Sequence, residues 1–153
     1  MRNERKETDF IVVCSSETPP CDNIGRKELD AQHRKDGWFS CGFHKIITRS
    51  GYVENGRDIG LAGGHVDDGT GECTNANSVS ICMIGGQGED GQPDCNYTFQ
   101  QYISLRIVID ELRQLYPTAQ LIGHRDINNK TKCPYFCVNE LMDIHNRSKG
   151  YGR

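Results

Sequence analysis

An α/β fold, one central sheet with helices on its faces, is what this 153-residue chain predicts. Three observations point there. Short apolar runs at residues 10–14, 78–84 and 119–122 are each bounded by turn residues, the pattern of buried strands. A long stretch of helical periodicity, residues 99–115, separates the second run from the third. Glycine- and asparagine-rich segments join the pieces, so loops are long and the strands few. The length suits one domain, residues 1–153, with residues 1–8 and 148–153 expected as tails.

The elements follow in order. Residues 10–14 (FIVVC) read as a strand, and residues 15–25, with Pro19, Pro20, Asp22 and Asn23, as a loop. Residues 26–36 make a short polar helix with Leu29 inward, stopped by Gly37. Residues 43–48 and 52–54 flank Arg49-Ser50-Gly51, a hairpin pattern. A turn at Asn55-Gly56 leads to a glycine-rich loop over residues 60–77. The strand 78–84 closes at Gly85-Gly86, and a polar loop runs on to Asn96. Thr98 is then an N-cap, and Gln101 completes a capping box. Phe99, Tyr102, Ile103, Leu105, Val108, Ile109, Leu112 and Leu115 recur at helical spacing as a core stripe, with Pro117 just past the end. The strand 119–122 runs directly into Gly123-His124-Arg125-Asp126, and a last helix covers about 138–146. Chemistry is expected on the loops at the strand ends.

Composition narrows the function. Eighteen Lys and Arg against 21 Asp and Glu give a net charge of −3, which argues against a salt-driven grip on nucleic acid. No apolar run approaches the ~20 residues of a membrane span, and the polar start MRNERKETD lacks the apolar core of a signal peptide. The expectation is a protein made in a cytoplasm without membrane attachment. Eight cysteines without an export signal are expected as thiols, some buried and some available to metal. None forms a C-x-x-C pair, so a metal site would draw on distant parts of the chain.

Several short segments, in order, carry a more specific signal: Asn23-Ile24-Gly25, Gly37-Trp38, Gly42-Phe43-His44, Val53-Glu54 with Gly56-Arg57-Asp58, His65, Asn77-Ser78, Gly85-Gly86, Gly123-His124-Arg125-Asp126 and Cys133-Pro134. Together they resemble the type-2 N-acetylmuramoyl-L-alanine amidases, a family that includes peptidoglycan recognition proteins and phage endolysins. The resemblance covers nearly the whole chain and implies a single central mixed β-sheet flanked by helices. It also implies one zinc ion per chain, a monomer, and peptidoglycan as substrate. The amide between N-acetylmuramic acid and L-alanine would be cut after release from the host cytoplasm. RNA polymerase is a second partner that the resemblance alone suggests.

Carried over residue by residue, the zinc ligands fall on Cys14, His124 and Cys133. The first is a histidine in the family. Zinc accepts thiolate as well as imidazole, but two thiolates neutralise the dication and make it a weaker Lewis acid. Phe43 stands where the family has a catalytic tyrosine, and a phenyl ring neither donates nor accepts a hydrogen bond. Thr131, flanked by Lys130 and Lys132, stands where the family places an oxyanion-stabilising lysine or threonine. His65 matches a cleft-lining histidine, and His44 is a substrate-side candidate against a plain structural role in its strand. Without the resemblance, Cys14 reads as a small core residue and the two lysines as solvated loop charges. The departures at Cys14 and Phe43 leave a second reading open: an impaired amidase that binds peptidoglycan or a protein partner such as RNA polymerase.

Overall fold

The computed structural model describes residues 3–64, 66, 71–128 and 130–148, the last five through their backbone. Among these residues five strands form one mixed sheet: β1 (Phe10–Ser15), β2 (Lys45–Ile47), β3 (Val53–Asn55), β4 (Ser78–Met83) and β5 (Gln120–Gly123). Their spatial order is β3-β2-β4-β1-β5. β1 lies between β4 and β5 and runs parallel to both, while β2 runs parallel to β4. Only β3 runs antiparallel, as the return arm of the β2–β3 hairpin. Among the described residues three α-helices accompany the sheet: α1 (Arg26–Lys35), α2 (Phe99–Leu115) and α3 (Val138–Ser148).

The central strands are apolar throughout because both sheet faces are covered. Alternate residues of β1 divide between two cores. Ile11 and Val13 join Val79, Ile81 and Met83 beneath α2 and α3, with Leu105, Ile109 and Met142. Val12 and Cys14 face the other side with Cys82, Ile122, Leu29 of α1, and the loop residues Cys41, Phe43, Cys73 and Cys133. That period-2 split is a direct consequence of pleating. It puts Cys14 on the face where the loops gather.

Two expectations need correction. The α2 stripe does not bury Phe99, Ile103 or Leu115, which are 72%, 38% and 64% exposed. The helix meets the sheet through Gln101, Leu105, Val108, Ile109 and Leu112 instead, so Phe99 and Leu115 project from its ends. The described part of the N-terminal segment is not a loose tail. Arg5 N–H donates to the Gly60 carbonyl at 2.7 Å, Ala62 N–H donates to the Asn3 carbonyl at 2.8 Å, and the Arg5 guanidinium lies 5.2 Å from the Tyr116 ring centre. The expected tail at 148–153 falls, apart from the backbone of Ser148, outside the described residues.

Candidate active site

The carboxyl ends of parallel strands are where α/β sheets place their sites, since the loops diverge there and leave a crevice. Val13 of β1 pairs with Gly123 of β5, so the following residues, Cys14 and His124, emerge side by side from adjacent strands. His124 opens a single 3₁₀ turn, His124–Asp126, closed by Gly123 N–H donating to Asp126 Oδ2 at 2.8 Å. The loop that follows is tied back by Arg125 N–H donating to the Cys133 carbonyl at 2.7 Å. Tyr97 Oη donates to the Pro134 carbonyl at 2.9 Å and anchors the same loop from α2's side. Cys133 thereby reaches β1, where its Sγ accepts the Ser15 N–H at 2.9 Å.

Cys14, His124 and Cys133 border one cavity of about 230 Å³, together with Phe43, Thr131, Ser15, Ser16, Glu17, Leu29, His33 and Asn128. A larger depression of about 570 Å³, near Trp38, Arg57 and Asn75, shares no residue with it. The thiols are almost completely enclosed, Cys14 at 1% and Cys133 at 2% exposure. Burial pushes the Cys14 thiol far above its ordinary range, reinforced by Cys133, Cys82, Cys73 and Glu17. Burial pushes Cys133 up to about 12, opposed by the Ser15 N–H and assisted by Glu17. The same desolvation lowers His124, with Glu17 working in the other direction. All three shifts share one leading cause, desolvation, which disfavours charge on the thiols and on the imidazole alike. Among the described residues, no three His, Cys, Asp or Glu side chains are drawn together into a formed metal centre.

The remaining candidates divide. Phe43 is 3% exposed and its ring stands 5.8 Å from His33, forming an apolar wall of the cavity. Thr131 is also on the wall, and its Oγ1 accepts the Cys133 N–H at 3.1 Å. Lys132 is exposed and stands outside the lining, as does Lys130, because the loop turns both outward. His44 does not line this cavity. Its Nε2–H donates to the Leu61 carbonyl at 2.7 Å and its Nδ1 accepts the Ser80 N–H at 3.0 Å, so both ring nitrogens hold the fold. His65 lies outside the described residues. Glu17 and Asn128 were not singled out from the sequence, and His33 reads there as a structural residue on a polar helix. Only the convergence of β1, α1 and the 124–133 loop puts them on one cavity.

Residues 4–136 match the family model described as N-acetylmuramoyl-L-alanine amidase. The endolysin of Enterobacteria phage K11 is 40% identical over 134 residues, covering 87% of this chain and 84% of the relative. The endolysin of Escherichia phage T7 is 38% identical, with the same coverage of 87% and 84%. Among solved structures, the N-acetylmuramoyl-L-alanine amidase LysC from Clostridium intestinale URNW superposes with a TM-score of 0.78 at 25% identity, over 95% of this chain and 90% of that one. Drosophila PGRP-LB, at 17% identity and a TM-score of 0.69 over 100% and 88%, shares the fold. With its sheet, its strand-end cavity and these sequence matches in agreement, the chain belongs to the N-acetylmuramoyl-L-alanine amidase family.

Proposed function

We propose that this chain is a zinc-dependent phage endolysin that hydrolyses the amide between N-acetylmuramic acid and L-alanine in peptidoglycan. One observation carries the zinc reading: Cys14, His124 and Cys133, far apart in sequence, border a single cavity at the ends of adjacent parallel strands. The donor set fits the ion in kind. Two thiols and one imidazole match the ligand types and the three protein donors of catalytic zinc sites, and would hold the ion. The short Ser15 N–H contact to Cys133 Sγ supports negative charge on that sulfur, as donors behind metal-bound thiolates do. Bound there, zinc supplies a Lewis acid for the amide carbonyl and the attacking water.

The chain's own groups supply the rest. Thr131, held in place by the Cys133 N–H, has a hydroxyl proton to offer the developing oxyanion. The Phe43 ring forms one apolar wall and, carrying no polar atom, offers substrate no side-chain hydrogen bond. Metal analysis and the release of new amino ends from purified peptidoglycan test the reading together. One zinc per chain is expected, lost in Cys133→Ala. His124→Ala should stay folded and lose at least a hundredfold in rate. A zinc-free wild type, or an unimpaired His124→Ala, would reject the assignment.

A further inference from the structure

Among the described residues, two non-glycine residues have a left-handed backbone, Glu17 at φ 55° and Tyr135 at φ 73°. Side chains rarely adopt that region, and where they do the strain tends to mark function. The two residues are joined: Tyr135 Oη donates to Glu17 Oε1 at 2.8 Å. Glu17 follows Cys14 by three residues and Tyr135 follows Cys133 by two, so this bond ties the loop after β1 to the loop that carries Cys133, at the edge of the cavity that Glu17 lines. Each bend is fixed by its own backbone: Glu17 N–H donates to Ser15 Oγ at 2.9 Å, and Tyr135 N–H to the Lys132 carbonyl at 2.8 Å. Gly86 leaves room for the arrangement, since a Cβ there would come within 3.1 Å of the Tyr135 ring.

Glu17 carries the one carboxylate on the described cavity lining, and no Lys or Arg borders it. Glu17 is an exposed residue of that lining. Tyr135 occupies Oε1, and among the described residues no hydrogen bond takes Oε2. Amide hydrolysis creates a cation at such a place. The water oxygen joins the carbonyl carbon, the C–N bond breaks, and both water protons end on the nitrogen, leaving a carboxylate and an ammonium. We propose that Glu17 is a catalytic residue of this site, its Oε2 contacting the scissile nitrogen and holding the departing L-alanine ammonium, with Tyr135 as the positioning residue. The inference rests on the amidase reading above.

Glu17→Gln is the decisive variant, because the amide oxygen can still accept the Tyr135 hydroxyl while the charge is gone. Two readouts apply: kcat and KM on purified peptidoglycan, and calorimetric binding of L-alanyl-γ-D-glutamyl-L-lysine against its N-acetylated form. Hydrogen bonds to charged groups are worth about ten- to a hundredfold. The wild type should favour the free-amine peptide by about that factor, and Glu17→Gln should lose the preference together with a similar fraction of kcat, KM changing little. Tyr135→Phe should fall between, its carboxylate present but untethered. If Glu17→Gln keeps both wild-type turnover and the peptide preference, Glu17 is only a lock between loops and the proposal fails. A wild type that releases no amino ends rejects the amidase reading instead, and the peptide preference then still decides whether Glu17 holds an ammonium.

Discussion

His44 and Cys14 are both buried polar residues of the sheet's loop-side core, and they fail to behave alike because of what surrounds their polar atoms. Protonating His44 would turn the Nδ1 acceptor into a donor facing the Ser80 N–H. Burial lowers it from the ordinary 6.5 to about 4, with the Leu61 carbonyl opposing. Because the folded value is depressed, the unfolded chain binds the proton first as pH falls. The contribution is complete above about pH 6.5 and is lost as pH drops toward 4, on the order of 3 kcal/mol. Urea unfolding across that window should show wild-type stability falling more steeply than that of His44→Gln; equal slopes would contradict the assignment. Cys14 is enclosed beside Cys82 and Cys133, on the wall of the cavity of about 230 Å³. Cys14→His with Phe43→Tyr, which restores the family's residues, is expected to gain little activity, since the cavity wall is arranged around a thiol and a phenyl ring and reacting groups must sit within about 0.5 Å of productive geometry. A large gain from a near-inactive wild type would favour the impaired-amidase reading.

At the scale of elements, α2 is defined by its first turn and its sheet-facing side. Thr98 Oγ1 accepts the Gln101 N–H at 3.1 Å, and Gln101 Oε1 accepts the Thr98 N–H at 2.9 Å, the reciprocal capping box expected from sequence. Gln101 does more than cap. Fully buried, its Nε2 donates to the Ile47 carbonyl at 3.1 Å and the Ile84 carbonyl at 2.7 Å, bridging the ends of β2 and β4. Gln101→Ala removes the bond to the Ile84 carbonyl and the acceptor of the Thr98 N–H, while the Ile47 carbonyl keeps the Ile84 N–H at 3.0 Å, and should destabilise the fold by about 2–4 kcal/mol in denaturant titration. Phe99→Ser, two positions earlier but 72% exposed, should stay within about 0.5 kcal/mol. The helix is thus held by its polar bridge as well as by its leucines.

For the molecule as a whole, the sheet order sets where chemistry can occur. β1 is an interior strand parallel to both its neighbours, β4 and β5, so its carboxyl end opens into the space between the 15–25 loop and the 124–133 loop. A metal bridging those loops would cross-link segments more than 100 residues apart. Zinc is therefore expected to stabilise the native state by mass action, about 4 kcal/mol at a thousandfold excess over Kd. For a domain of this length that corresponds to a rise in Tm of roughly 8–16 °C. Scanning calorimetry of chelator-stripped protein with and without zinc would measure it. Cys133→Ala should abolish the rise, and a Tm indifferent to zinc would count against the ligand set.

The strands, the capped helix and the strand-end position of His124 were legible from sequence because each depends on local periodicity, turn chemistry or a contiguous motif. Residues 10–14, 78–84 and 119–122 all form strands within a residue or two of their expected bounds, and Thr98 and Gln101 make the expected box. The family itself was visible in the ordered segments from Asn23 to Pro134, and the sequence matches agree. Which face of α2 is buried was only partly legible, since Phe99 and Leu115 keep the helical spacing yet overhang the sheet. The separation of Thr131 from Lys132, the structural role of His44 and the meeting of Glu17 with Tyr135 were decided by tertiary structure alone. Those outcomes depend on loop directions and on contacts across as many as 118 residues, which no local pattern encodes.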